Sequence, residues 1–283
     1  MSAMNRPSAT KLKHLLQAVP PGFLVDSGWI KRHGISRQST SAYVVSGWLE
    51  RVAQGVFRRP FAAAESTEAR TGWKIPLLSA QWLMGYGFHL GGMSALDLRG
   101  HSHYLRLGDD LDVYLYGNDV PDWLLKLETN AHFVRRRNDL FEDPVLGLEN
   151  ASFSLAEPTD GELQLSPWRW PLKMASAERA VLEALDEVPR TVSFHTMDTV
   201  FEALVSLRPR LMAQLLEQCR SVKVKRLFLV YADKHAHPWR KHIDVSSLEL
   251  GSGDRSLLSG GRLHPAYRIT VPADLLPREP SDA

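Results

Sequence analysis

The hydrophobic period of this chain changes from helix to strand within its first sixty residues, and that change limits the folds open to it. Leu12, Leu15, Leu16 and Val19 recur at i, i+3, i+4 and i+7, the spacing of a helix with one buried stripe. Pro20, Pro21 and Gly22 stop that helix. Asp26 or Ser27 can cap a short second helix that carries Trp29 and Ile30 and ends at Gly34, and Ser36 can cap a third running to about Trp48. Beyond it, 49–52 and 56–59 flank Ala53-Gln54-Gly55 and read as a hairpin closed by Pro60. Three short helices and a basic hairpin follow one another in the order of a winged helix-turn-helix, whose third helix enters the DNA major groove. The alternative is a small helical core with an incidental hairpin; charge and element order together favour the winged helix.

The charge supports a polyanionic partner for this front segment. The whole chain carries 34 Lys+Arg against 32 Asp+Glu, a net charge of only +2. Residues 1–60, however, hold nine Lys/Arg against the two acids Asp26 and Glu50, a local +7 that leaves the rest at −5. On a helical wheel Gln38, Ala42, Val45 and Leu49 cluster on one side and are expected to be buried. Ser39, Thr40 and Tyr43 lie opposite, with Arg37 in the first turn, where a recognition helix meets base edges. Arg37 is expected at a base edge, Ser39 and Thr40 at bases or phosphates, and Tyr43 at a phosphate or sugar; the plainer reading is polar surface at a helix start with Arg37 solvated. Arg51, Arg58 and Arg59 around the hairpin, with Lys11, Lys13, Lys31 and Arg32, are expected to contact phosphate.

The 283 residues predict two domains. We expect an α+β protein: a winged helix-turn-helix over 1–60, a linker or connecting helix over 61–75, a larger mixed α/β domain over 76–276, and a frayed tail over 277–283. Residues 1–8 have no apolar period and read as a loose arm. Strands are expected at 111–116 and 131–135, and helices around Val181/Leu182/Leu185, Val200/Phe201/Leu204/Leu207 and Val224/Leu227/Phe228/Tyr231. A second basic cluster at 220–242 contains seven Lys/Arg against Asp233. Lys223, Arg226 and Lys234 make it a candidate second nucleic-acid surface, with a solvated helix face as an equal alternative.

Enzyme-like patterns are weak. Gly91-Gly92-Met93-Ser94 followed by Asp110 and Asp112 is similar to the glycine and paired-aspartate elements of nucleotidyltransferases, but the spacing is long and a third carboxylate is lacking. Asp109, Asp110 and Asp112 read more simply as a turn entering a strand. His101/His103 and His235/His237 each offer two imidazoles without a third ligand, so no metal site is expected. Cys219, the single cysteine, excludes an intramolecular disulfide and reads as a small buried residue in a reducing compartment. With no leader pattern at the N-terminus and no apolar run of spanning length, a soluble cytoplasmic protein is expected.

Ordered blocks along the chain carry a family resemblance. They are Gly47-Trp48-Leu49-Glu50-Arg51-Val52, Gly55 to Pro60, Leu78-Ser79-Ala80-Gln81, Gly91-Gly92 with Ser94-Ala95-Leu96, and Gly100. Ser176 to Ala180, Val222 to Leu227, Leu250 to Gly253, and Gly260 to Leu263 with Tyr267 follow. In these the chain, from about residue 9 to 276, resembles the AbiEi-family antitoxins of type IV (AbiE-type) toxin–antitoxin systems. The resemblance implies a winged helix that binds inverted repeats in its own promoter and represses transcription. It also implies a body that counters a co-encoded nucleotidyltransferase toxin without a stable toxin–antitoxin complex. It brings no catalytic residues and no cofactor. The other readings open at this point are a nucleic-acid-modifying nucleotidyltransferase using Asp110 and Asp112, and a plain winged-helix regulator with a sensing or dimerising body.

Overall fold

The computed structural model describes residues 9–61, 72–101, 111–153 and 170–277. The expected arm at 1–8, most of the linker and all but Pro277 of the tail lie outside them. The chain divides into two compact units interleaved in sequence. Among the described residues, the first holds 9–61, 72–89, 111–135, 150–153 and 170–173, and the second the remainder.

The first unit opens with α1 (Ala9–Ala18), β1 (Leu24–Asp26), α2 (Ser27–Arg32), α3 (Arg37–Val45), β2 (Glu50–Ala53) and β3 (Val56–Arg58). The three strands form one sheet in the order β1-β3-β2, all antiparallel, with Val25 opposite Phe57. This is the winged-helix topology, completed by a strand the sequence pattern does not reveal. β1 is three residues long and its first two side chains are buried, so it offers no alternation to detect. Leu15, Val19, Leu24, Val25, Trp29, Ile30, Tyr43, Leu49 and Phe57 are buried in its core. Asp26 caps α2 by accepting from the Trp29 N–H at 2.6 Å, and Ser36 caps α3 by accepting from the Ser39 N–H at 3.1 Å.

The third helix is shorter than its pattern predicts, and the difference turns its wheel around. Gly47, at φ 75°, ends α3 in a Schellman motif: Gly47 N–H donates to Val44 O and Trp48 N–H to Tyr43 O. Leu49 is buried as expected, but it lies past the helix end and reaches the core from there, so it does not mark the buried face of the helix before it. Thr40 and Tyr43 are buried at 5% and 1% exposure, while Gln38 is exposed and Val45 stands 89% exposed. Of the expected buried side, Gln38 and Val45 are therefore on the solvent face, Ala42 is half-buried and Leu49 alone is in the core.

After the winged helix, α4 (Lys74–Leu78) runs into one π-helical turn, Ser79–Leu83. That turn buttresses the winged helix. The Ser79 hydroxyl accepts from the Leu24 N–H at 3.0 Å, the Tyr86 hydroxyl donates to Asp26, and the Trp82 ring meets Phe23 edge-on. The Gln81 amide pairs with both backbone groups of Lys173 at 3.0 Å, as a neighbouring strand would. The larger sheet holds β4 (His89–Leu90), β5 (Asp112–Tyr116), β6 (His132–Arg136), β7 (Leu148–Phe153) and β8 (Trp170–Ala175), in the order β6-β5-β4-β8-β7. A short helix, α6 (Asp122–Leu125), lies between β5 and β6 in sequence.

The second unit is mainly helical: α5 (Gly92–Leu98), α7 (Ala177–Asp186), α8 (Phe194–Ala203), α9 (Pro209–Gln218) and α10 (Val222–His235). A small antiparallel pair, β9 (Arg262–Leu263) and β10 (Thr270–Val271), follows. The predicted stripes at Val181/Leu182/Leu185 and Val224/Leu227/Phe228/Tyr231 are buried. Arg179, fully buried, binds Glu183 at 2.7 Å and donates to Leu146 O at 2.6 Å, its guanidinium over the Phe141 ring at 4.6 Å. Glu183 in turn accepts from the Gly92 N–H at 3.0 Å. The Ser176–Ala180 and Gly91-Gly92 blocks thus meet through an ion pair that joins the start of α5 to α7.

Candidate nucleic-acid interface

The candidate interface is the solvent face of α3 with the α2 end and the hairpin beside it. Arg37, Gln38, Ser41 and Val45 form the exposed stripe of α3. Ser39 is half-buried, its hydroxyl 2.9 Å from that of Ser36, so it completes the cap of the helix. Thr40 donates its hydroxyl to Ser36 O at 2.9 Å and lies under the helix with Tyr43. Thr40 and Tyr43, expected at the groove, are therefore core residues. The wheel puts Gln38 and Val45 on the wrong face and does not single out Ser41. The signal for them was the Ser36 cap, which places Gln38 in the open first turn, and the bulk of Tyr43, which needs a core.

Among the expected phosphate contacts, Lys13, Lys31, Arg32 and Arg51 are exposed. Lys31 and Arg32 occupy the last turn of α2, where the helix dipole favours cations, and Arg32 also donates to Met84 O at 3.3 Å. Lys11 is exposed and donates to Gly34 O at 2.7 Å, which places its ammonium at the helix-turn-helix turn. Arg51 lies 5.5 Å over the Phe57 ring and Arg58 lies 5.2 Å over Phe61. Ser27 donates its N–H and hydroxyl to Gly55 O at 2.8 and 3.1 Å, so the hairpin tip is tied to the start of α2. Arg59 has a different task. It donates to Leu16 O at 2.6 Å and Val19 O at 2.7 Å, satisfying carbonyls at the C-terminal end of α1, and burial lowers its pKa.

The 220–242 cluster does not assemble as a second surface. Arg226 is 3% exposed and donates to the carbonyls of Leu250, Gly251, Gly253 and Arg268 at 2.8–3.2 Å. Lys223 caps the end of α7 through Asp186 O and Val188 O, and Lys234 pairs with Asp198 at 2.8 Å. Lys225 is buried and Arg240 binds Asp233 at 2.6 Å. A solvated face was the alternative, but internal partners hold most of this charge instead.

Gly92 begins α5, Asp112 begins β5, and Asp109 and Asp110 lie outside the described residues, as do Ser102 and His103. His235 Nε2 is 2.8 Å from Asp198 and His237 Nε2 is 2.7 Å from Phe201 O. Among the described residues no group of three or more His, Cys, Asp or Glu is placed to hold a metal. Burial pushes the Cys219 thiol up to about 11, as suits a buried structural cysteine. No helix among the described residues is long and apolar enough to cross a membrane.

A family model described as the N-terminal domain of AbiEi antitoxin transcriptional regulators matches residues 8–107. A second, described as a transcriptional regulator, the AbiEi antitoxin of a type IV toxin–antitoxin system, matches residues 111–272. No curated protein matches. The crystal structure of the RV2827C protein from Mycobacterium tuberculosis is similar in fold, with a TM-score of 0.57 and 16% identity over 93% of this chain and 91% of that one. The two matches follow one another over nearly the whole chain, and the first contains the winged helix with the exposed face of α3. The chain therefore belongs to the AbiEi family of transcriptional regulators, the antitoxins of type IV toxin–antitoxin systems.

Proposed function

We propose that this regulator represses its own operon by laying α3 in the major groove of inverted-repeat operator DNA. In the same reading, the body at 76–276 acts in the cytoplasm as antitoxin against a co-encoded nucleotidyltransferase toxin, without a required stable complex. The observation that supports the DNA half is the exposed Arg37, Gln38 and Ser41 on a capped helix, with Lys13, Lys31, Arg32 and Arg51 exposed on the same small domain. Arg37 can pair bidentately with guanine, and the other cations suit phosphate. Arg51 and Arg58 would add affinity for any sequence.

The test is an electrophoretic shift of the DNA upstream of the protein's own reading frame, with a promoter–reporter fusion in parallel. Full-length protein should retard that DNA at low salt and lower reporter output. Failure to retard it would remove the repressor half. Arg37→Ala should relax base preference and Arg58→Ala should weaken all sequences alike. Co-expression with the neighbouring toxin then separates the two jobs: Arg37→Ala should still protect the cell. Loss of protection in that variant, with folding intact, would show that the antitoxin activity runs through the DNA-reading face.

A further inference from the structure

The solvent face of α3 contains an apolar side chain that charge alone does not explain. At about 100° per residue, Gln38, Ser41 and Val45 fall within about 60° of one another, with Arg37 at the edge of the same face. Val45 is 89% exposed, the most exposed of the large hydrophobic side chains among the described residues. It sits one residue before the Ser46 cap, on the face opposite Thr40 and Tyr43, so neither the core nor the helix end requires it there.

Resting on the reading of α3 as the recognition helix, we propose that Gln38 and Val45 determine its base specificity, Gln38 by pairing with adenine and Val45 by packing on the 5-methyl group of thymine. A primary amide matches the adenine N6 and N7 edge, and an aliphatic side chain matches the thymine methyl, the one apolar group in the major groove. Ser41 lies between them along the helix, its hydroxyl donating to Arg37 O at 3.1 Å and leaving its lone pairs to accept from a base. Seven residues of helix rise about 10 Å. That is about three base-pair steps. A helix lying along the groove then places the adenine and the thymine about three base pairs apart in each half-site.

The test uses full-length protein and a pool of duplex DNA with a randomised core. The enriched site should contain an adenine and a thymine at that separation. Each thymine is then replaced by deoxyuridine, which removes only the methyl. At one position per half-site the wild type should bind about 4-fold more weakly, the worth of one buried methyl group, and Val45→Ala should be indifferent to the same change. Gln38→Ala should lose discrimination for adenine at its position by on the order of 10-fold and keep it elsewhere. Both positions are exposed, and unchanged thermal melting of the variants checks their fold. If wild type enriches a site but both variants keep its full preference, the specificity assignment falls while the DNA-binding reading stands. If wild type enriches nothing, both fall together.

Discussion

The hydroxyl of Tyr43 is buried and has no hydrogen-bond partner among the described residues. Its ring is a large side chain in the winged-helix core, and burial raises the pKa of its phenol. A buried, unpaired hydroxyl contributes a desolvation cost with nothing in return. Tyr43→Phe should therefore leave stability to urea unchanged or raise it by up to about 1 kcal/mol. Tyr43→Ala should lower it by about 3–5 kcal/mol through the cavity it leaves. A clear loss in the Phe variant would mean that the hydroxyl does have a partner. The same residue marks a limit of reading from sequence. A threonine and a tyrosine at helix positions 40 and 43 look polar on a wheel, and Val45 looks apolar, so a wheel alone picks the wrong face. The caps decide it: Ser36 and Gly47 bound the helix, and within those bounds only Tyr43 is bulky enough to fill the core. Side-chain destinations were equally hidden for the cations. Counting charge identifies Arg59 and Arg226 as basic, but only the fold shows that carbonyl oxygens already occupy them.

At the scale of elements, the strong periods were legible and the short pieces were not. The stripe of α10 and the hairpin turn at Gly55 follow directly from spacing, whereas β1 and the π-helical turn have no period of their own. Ion pairs between elements were hidden too, because their partners are far apart in sequence. Glu187, at the end of α7, accepts from Arg136 of β6 at 2.7 and 2.9 Å and from Thr191 at 2.6 Å. Glu178 of α7 accepts from Arg208 through three donors. Burial alone would raise both pKa values, but the arginine hydrogen bonds outweigh it and hold both carboxyls below the ordinary carboxylate value. A depressed carboxyl contributes its stability fully above its unfolded pKa, about 4.3 for glutamate. That contribution is lost as pH falls toward the folded value. Urea midpoints measured across pH should therefore show an acid limb below about pH 5 from these carboxyls, after a fall through about pH 6.5 from His101 and His264, whose pKa values burial lowers. Glu187→Gln should lower the neutral value and flatten the acid limb. An acid limb of the same slope in that variant would show that Glu187 does not drive the loss.

Over the whole molecule, the net charge of +2 conceals two kinds of cation. In the winged helix Lys11, Lys13, Lys31, Arg32, Arg37 and Arg51 are exposed. In the 220–242 cluster, Lys223, Arg226, Lys234 and Arg240 are engaged with carboxylates and carbonyls of their own chain. The front +7 was visible from sequence because exposed cations in a short domain have few acids to meet; the internal neutralisation of the second cluster was not, because Asp198 and the carbonyls at 250–268 come together only in the fold. On the proposed reading, these six exposed cations set the salt dependence of DNA binding. Each neutralised phosphate contributes about −0.9 to the slope of log K against log salt, so one protomer on duplex DNA should show a slope on the order of −5. Arg51→Gln should make that slope shallower by about one. Lys234→Gln should not change it, because its ammonium is already paired with Asp198 at 2.8 Å and releases no counterion from DNA. The measurement is fluorescence anisotropy on the enriched duplex over a salt series, with the number of protomers bound fixed by stoichiometric titration. A much steeper slope that also falls in Lys234→Gln would place the second cluster on the DNA, and would mean that its ion pairs open when DNA binds.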